Sequence, residues 1–355
     1  LPAWVTARVV VLVALATAHY IANRLIVTPS RQVHLGLLSW DGQWYRRIAD
    51  TGYSHLFPTA RRFFPLYPMS ARVLTVVVRD PGVALLLISS VSALVYGALL
   101  HRLALRETSD QSLARRSAWL VALVPPGFIL AFGYTEAAAG ALAVATFLGL
   151  RSRRWWTAAA AGFASGLLRP TGTLLALPAL IEASRGLRRV TGREAIGRAV
   201  AVVAPVAGTA SYLVWVGWRF GNALLPIRVQ QRPYLRGGFA NPLVAFYRCG
   251  RDFFAGHFDG NGMHFPMIVL LVLLVVVGAR WWPASYTAFA ATTLVLALSG
   301  QHLSSIERYG FAAFPVVLTL ARGLDREDWW RAALATSASV MGGLAMLAFL
   351  GIYIP

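Results

Sequence analysis

Fifteen residues, Ser39-Trp40-Asp41-Gly42-Gln43-Trp44-Tyr45-Arg46-Arg47-Ile48-Ala49-Asp50-Thr51-Gly52-Tyr53, crowd two carboxylates, two arginines and four aromatic rings into one stretch. Trp40, Trp44, Tyr45 and Tyr53 are residue types that collect at a membrane–water boundary, so an aromatic belt accounts for the rings. It does not account for a carboxylate wedged between Trp40 and Gly42. A carboxylate so placed can act as a general base toward a hydroxyl. A second cluster follows, Arg61-Arg62-Phe63-Phe64-Pro65-Leu66-Tyr67-Pro68. Its two prolines are expected to break any continuous helix and fix a turn. Taken alone, it reads as aromatic side chains anchoring an interfacial helix.

Further charged positions fall where charge is costly. Glu136 opens an apolar segment. An acidic residue costs about 2.5–3.5 kcal/mol at the bilayer centre and less at a helix end, where the dipole returns roughly 0.3–1 kcal/mol. It reads as a helix-start acid or as a partner of Arg169, in either case a support. Arg169 stands in Arg169-Pro170-Thr171-Gly172 between two apolar segments. It is expensive there unless paired or hydrated, so it is expected to line a cavity, pairing with Glu136 or contacting a phosphate. Arg308-Tyr309 precedes another apolar run, after Gln301 and His302, and an arginine there can simply snorkel to the boundary.

Other chemistries find no motif. There is no CxxC and no HExxH, and the seven histidines are scattered. His257 and His264, with Asp259 between them, read as loop residues, and no metal site is expected. Neither a Walker sequence nor a GxGxxG after a strand is present, which disfavours nucleotides. Cys249 is the single cysteine, so no disulfide forms within the chain.

The elements that must position these residues are set by composition. Of 355 residues 57% are hydrophobic and only 13% charged, and the mean hydropathy is +0.59. A soluble domain carries roughly 25% charged residues. Half of that charge is missing, which excludes a soluble enzyme, a disordered chain and a collagen-like fibre, and leaves a polytopic membrane protein. Apolar helices are expected at 4–26, 82–104, 117–133, 135–150, 155–168, 172–183, 199–218, 266–280, 284–299, 309–322 and 332–353. Ala14-Leu15-Ala16 has the form of a signal-peptidase site, but with many spans following, 4–26 reads as a retained first helix. Segments 155–168 and 172–183 read as a hairpin whose tip, at Arg169, dips into the membrane beside a cavity.

Net charge is +19, from 33 arginines and no lysine against 14 acids. Anionic lipids or lipid phosphates suit such a chain better than nucleic acid. Segments 102–116, 151–154, 184–198 and 322–331 carry four, three, five and three arginines, which makes them cytoplasmic by the positive-inside rule. The N-terminus is then inside, and 64–78 must stay outside as an interfacial helix. Two long segments, 27–81 and 219–265, face outward with 13 arginines between them. Long loops translocate despite charge, so this is either tolerance or a face awaiting phosphate, which arginine binds bidentately. No internal repeat of the kind that marks inverted-repeat transporters is visible.

Together the two aromatic clusters resemble the GPI mannosyltransferase II family, including its actinobacterial members. That family carries a WDGxxYxxIAxxGY-like element followed by FFPLYP. Here the match runs from Trp40-Asp41-Gly42 to Tyr53 and then from Phe63 to Pro68, in the same order and loop. Tyr134-Thr135-Glu136, Arg169-Pro170-Thr171-Gly172 and Arg308-Tyr309 extend it over most of the chain, with the specific part confined to the two clusters. Arg61-Arg62 departs from it, since a smaller or apolar residue is expected before Phe63, and this leaves the acceptor site open.

The resemblance implies a single all-α domain over 1–355 with the GT-C glycosyltransferase fold. It implies mannose taken from a polyprenyl-phosphate donor on the outer face, with Asp41 catalytic. Candidate donor- or acceptor-binding residues in the two clusters are Trp40, Gln43, Tyr45, Arg46, Tyr53, Arg62, Phe64 and Tyr67. Glu136, Arg169, His302, Arg308 and Tyr309 join them, Arg308 by family analogy as a phosphate contact. Such a donor needs an apolar groove, cations for its phosphate and a base for the incoming hydroxyl. Of the outward acids Asp41, Asp50, Asp80, Glu136, Asp252, Asp259 and Glu307, Asp41 is the expected base. In-line attack would invert a β-linked mannosyl phosphate to an α-mannoside, and arginine can carry the leaving phosphate without a metal. The expected protein is a multi-pass cell-membrane mannosyltransferase whose partners are a lipid-linked donor, a glycolipid or glycan acceptor, and membrane lipids. The alternatives are an arabinosyl or protein O-mannosyl transferase using the same donor chemistry, and a lipid-linked-sugar transporter or flippase.

Overall fold

A computed structural model describes residues 1–25, 30–186, 191–233, 235–258 and 260–354. The expected first span's last residue, the opening of the loop 27–81, Arg188 and Arg189, expected to be cytoplasmic, and Asp259, expected to face outward, lie outside the described residues. The chain is all-helical, with no strand among the described residues. In chain order the helices are α1 (Pro2–Leu25), α2 (Arg31–Leu35), α3 (Asp41–Thr51), α4 (Leu66–Val78), α5 (Pro81–Thr108), α6 (Gln111–Leu123), α7 (Glu136–Arg151), α8 (Trp155–Leu168) and α9 (Ala176–Ala183). They continue as α10 (Gly192–Phe220), α11 (Leu225–Gln230), α12 (Pro242–Phe254), α13 (Phe265–Trp281), α14 (Ala284–Leu298), α15 (Ile306–Ala312), α16 (Phe314–Gly323) and α17 (Glu327–Phe349).

Five of these, α1, α5, α10, α13 taken with the 3-10 turn Asn261–His264 that leads into it, and α17, are long and apolar enough to cross a membrane. They match the expected spans 4–26, 82–104, 199–218, 266–280 and 332–353. The expected span 117–133 is broken, because α6 meets the 3-10 turn Pro125–Ala131 at a bend of 75°. Pro125 and Pro126 cause the break, since neither supplies an N–H and each pushes its predecessor out of helical geometry. The expected segments 135–150, 155–168 and 284–299 form α7, α8 and α14 at nearly the expected bounds. Helices α7, α8 and α14 have 16, 14 and 15 residues. At 1.5 Å per residue these fall short of a hydrocarbon core about 30 Å thick. Segment 172–183 becomes a 3-10 turn, Pro170–Leu175, followed by the short α9. Segment 309–322 is divided at Ala313 into α15 and α16. Segment 64–78, expected to be an interfacial helix, forms α4, which buries Tyr67 and Ala71 and exposes Val73, Val76 and Val77. Pro68 does not break it. It sits in the first turn, where a missing N–H removes no helix bond.

The chain divides into two compact units: Leu1–Leu56 with Pro65–Val144 and Leu320–Pro355, and Phe57–Phe64 with Ala145–Thr319. In the first, α1 buries an alanine-rich stripe, Ala7, Val11, Ala14, Ala18 and Ala22, against Met341, Ala345, Ala348 and Phe349 of α17. Small residues let two helices approach closely where lipid offers no hydrophobic drive to associate. Asp80 caps α5 by accepting from Val83 N–H at 2.8 Å, with Pro81 at the first helical position.

In the second unit, α8 and α10 pack backbone against backbone. A Cβ on Gly166 would collide with the Pro205 carbonyl, and one on Gly208 with the Phe163 carbonyl. Thr209 Oγ1 donates to the Gly166 carbonyl at 3.0 Å. Gly166→Ala is therefore expected to destabilise the protein by about 1–3 kcal/mol as an overpacked contact. Gly343→Ala in α17, where a Cβ meets nothing within 4 Å, should gain up to about 1 kcal/mol from helix propensity. Thermal unfolding of the two variants checks this opposition of sign. Near the end of α7, buried Glu182 takes Arg151 at 3.2 Å and Arg185 at 3.3 Å and accepts from Ser285, tying α9 to α7 and α14.

Candidate functional site

In the first unit, the carboxylate of interest opens a helix. Asp41 is the first residue of α3, at the positive end of its dipole, where negative charge is favoured. The residue before it is strained. Trp40 takes φ +55°, a conformation costing about 1–3 kcal/mol in a bulky residue, so neighbouring contacts must hold it. Its N–H donates to Gln32 Oε1 at 3.0 Å, and its indole N–H donates to the Ala348 carbonyl of α17 at 3.0 Å. Asp41 N–H donates to Tyr134 Oη at 3.1 Å, and Gly42 N–H to the Ser39 carbonyl at 3.0 Å. Gly42 is buried, with the Gly133 carbonyl 3.6 Å from where a Cβ would stand. Trp40 and Tyr134 thus fix the Asp41 backbone through contacts that do not use its carboxylate.

Around this helix start stand other residues singled out from the sequence. Tyr45 is buried, edge-on to Tyr67 with ring centroids 5.1 Å apart and its hydroxyl 3.4 Å from Thr135 Oγ1. Tyr67 Oη donates to the Leu85 carbonyl at 2.9 Å. Glu136 is buried at the start of α7, immediately after Thr135. Tyr53 is buried and Gln43 half-buried on the first turn of α3. Arg46 faces outward and meets Asp80 at 3.5 Å, an exposed pair worth about 0–1 kcal/mol.

The second unit gathers cations around one ring. The Arg236 guanidinium carbon stands 4.0 Å from the Tyr309 centroid, that of Arg308 4.7 Å and that of Arg169 5.8 Å. All three are within the roughly 6 Å over which a ring quadrupole attracts a cation. Arg308 is buried and donates from Nη2 to Tyr309 Oη at 2.6 Å. Arg169 leaves α8 in extended conformation at the hairpin tip. The tip is tight, because a Cβ on Gly172 would collide with the Ser165 carbonyl. Three separate stretches of chain therefore deliver positive charge to one place.

The loop carrying Arg236 is stitched to the one preceding Arg308. His302 N–H donates to the Arg236 carbonyl at 3.2 Å and Ala240 N–H to the Ser299 carbonyl at 2.9 Å, with an isolated bridge from Phe239 to Gly300. Gly237 takes φ +69° with Gln301 packed on it, a turn that a side chain would strain. Asn261 ties in a third segment, donating to the Gln301 carbonyl at 3.1 Å and accepting from Leu303 N–H at 3.0 Å. His264 Nδ1 lies 2.6 Å from Glu307 Oε1, both buried, so this histidine has a structural partner within the fold.

The two aromatic clusters divide between the units. Phe57–Phe64 belongs to the second, where Tyr212 Oη donates to the Arg61 carbonyl at 2.8 Å and Phe64 packs on Tyr212 at 4.6 Å. Arg62 stacks over Phe63 at 4.6 Å. Burial pulls the Arg61 guanidinium below its ordinary value. Pro65 and Tyr67 belong to the first unit. His302 is exposed and reaches the arginine cluster only through its backbone. Sequence reasoning missed Arg236, one of thirteen arginines expected to face outward, with nothing in its neighbours to distinguish it. It also missed the clamp formed by Gln32 and Tyr134 on Trp40 and Asp41.

Cys249, on α12 in the second unit, reports on this packing. Burial, then the charges of Asp252 and Glu307, push its thiol up to about 11, and its Sγ lies 2.8 Å from the Asn261 carbonyl. Because the thiolate is the nucleophile, alkylation at pH 8 should run about 100-fold slower than for an exposed cysteine. Mass spectrometry of iodoacetamide-treated protein across pH measures this, and fast modification at pH 8 would contradict the burial.

No protein-family model and no curated protein matches this chain.

Proposed function

We propose that the chain is an integral-membrane mannosyltransferase of GT-C type, taking mannose from a polyprenyl-phosphate donor to a hydroxyl of an extracytoplasmic glycolipid or glycan. The observation that carries this reading is the convergence of Arg169, Arg236 and Arg308 on Tyr309. Arginine forks match phosphate oxygens, and three of them oppose the charge a departing phosphate acquires. The base is Asp41, on a helix start whose backbone is held by Trp40 and Tyr134. In the proposed step the acceptor hydroxyl gives its proton to Asp41 as its oxygen bonds to the anomeric carbon. The bond from that carbon to the phosphate oxygen breaks, and its electron pair leaves with polyprenyl phosphate. Attack from the face opposite the phosphate turns a β-mannosyl phosphate into an α-mannoside. The orientation, with the N-terminus inside and the loops 27–81 and 219–265 outside, belongs to the same proposal.

The test gives membranes containing the chain polyprenyl-phosphate-mannose labelled in the sugar, together with an extracytoplasmic glycolipid fraction. Label passing into a product distinct from the donor supports the reading. Label that crosses the membrane still attached to its lipid supports a flippase instead.

A further inference from the structure

Away from these residues, in the second unit, an open cleft of about 490 Å³ lies where α8 and α10 begin. Its wall includes Arg153, Arg154 and Arg193, the indoles of Trp155 and Trp156, and Glu194. The charges do not cancel. Glu194 is already engaged, accepting from Arg198 Nη2 at 2.8 Å and Nε at 3.1 Å. Buried Arg198 also donates to the Ala183 and Arg185 carbonyls at 2.7 Å and stacks on Trp155 at 5.1 Å. Arg153 also acts on Glu194 through its charge, and among the described residues no side-chain hydrogen bond or ion pair of Arg153, Arg154 or Arg193 is formed, so positive charge outweighs negative at the opening.

The backbone holds one of them there at a cost. Arg153 takes φ +52° in the turn that ends α7, with Arg154 N–H bonded to the Gly149 carbonyl at 2.8 Å. That turn favours glycine at such a position, yet an arginine occupies it. Gly197 opens the floor, since a Cβ there would stand 3.1 Å from Trp155 Cβ. Trp156 is mostly exposed at the start of a helix that is otherwise apolar, the arrangement of an indole at headgroup level.

We propose that this cleft binds the phosphodiester of an anionic glycerophospholipid, with the three arginines on the phosphate and Trp156 against the glycerol and upper acyl chain. The site is independent of the transferase reading, since none of its residues takes part in that step. Basic pockets at the ends of membrane helices select anionic headgroups in this way.

The test reconstitutes the full chain in nanodiscs of mixed phosphatidylglycerol and phosphatidylcholine and counts retained lipids by native mass spectrometry. Wild type is expected to retain phosphatidylglycerol preferentially. The double variant Arg154→Gln, Arg193→Gln should retain about thirtyfold less. Arg153→Gly should also lose retention while melting no lower than wild type, because it relieves the turn. Equal retention by wild type and both variants, or no preference over phosphatidylcholine, overturns the proposal. Displacement of phosphatidylglycerol by millimolar inorganic phosphate also overturns it, by reassigning the cleft to a soluble anion.

Discussion

Asp41→Asn is expected to lower the rate of sugar transfer about a thousandfold at saturating donor while leaving donor affinity within a factor of a few. A positioned general base contributes typically 10²–10⁴-fold, and a thousandfold corresponds to about 4 kcal/mol in the barrier. Asparagine has the same shape and cannot take the acceptor proton. The fold around it should survive, because Trp40 is held by Gln32 and Ala348, and Asp41 by its backbone bond to Tyr134. Asp41→Glu keeps the base but moves it by one methylene. A displacement of that order costs roughly 10²-fold, so glutamate should fall between wild type and asparagine. Transfer rates and donor binding for the three proteins separate the effects. Full activity in Asp41→Asn would remove Asp41 from the chemistry.

Arg308→Gln should lower kcat/KM for the donor by about 10²–10³-fold. That is the usual consequence of deleting one preorganised charge stabiliser, about 2.7–4 kcal/mol. The residue is buried and its direction is set by the 2.6 Å bond to Tyr309 Oη. Lysine should rescue poorly, since a point charge cannot reproduce the planar fork. Tyr309→Phe is the informative companion. It removes that bond but keeps the ring that Arg169 and Arg236 approach, so its loss should stay within about tenfold. If Arg308→Gln and Tyr309→Phe lose activity equally, the hydroxyl and not the guanidinium is what matters there.

How much of this was legible beforehand differs from element to element. The five long helices were readable because an uninterrupted apolar run has one stable outcome in lipid. The shorter ones were misjudged in length where proline intervenes. Pro125 and Pro126 turn one expected span into a bent pair, and the 306–323 stretch breaks at Ala313, just before Pro315. Pro68 was misjudged the other way, because a proline in the first turn costs a helix nothing.

The candidate residues were legible as types and not as neighbours. Asp41 stood out from its odd company of tryptophan and glycine. Its strained predecessor did not, since a positive φ at Trp40 is imposed by Gln32 and Ala348, 8 and 308 residues away in sequence. Arg169 and Arg308 were conspicuous because charge beside apolar runs is expensive. Arg236 was hidden because its loop holds several arginines, and only the stitching of residues 236–240 to 299–302 brings it to Tyr309.

The most direct measurement supplies purified, reconstituted protein with polyprenyl-phosphate-β-mannose and an acceptor fraction, and follows both products. The expected result is one α-mannoside formed for each polyprenyl phosphate released, with no metal added. Donor that remains intact while it is bound or moved across the membrane would contradict a transferase, and a β-mannoside would contradict single in-line displacement.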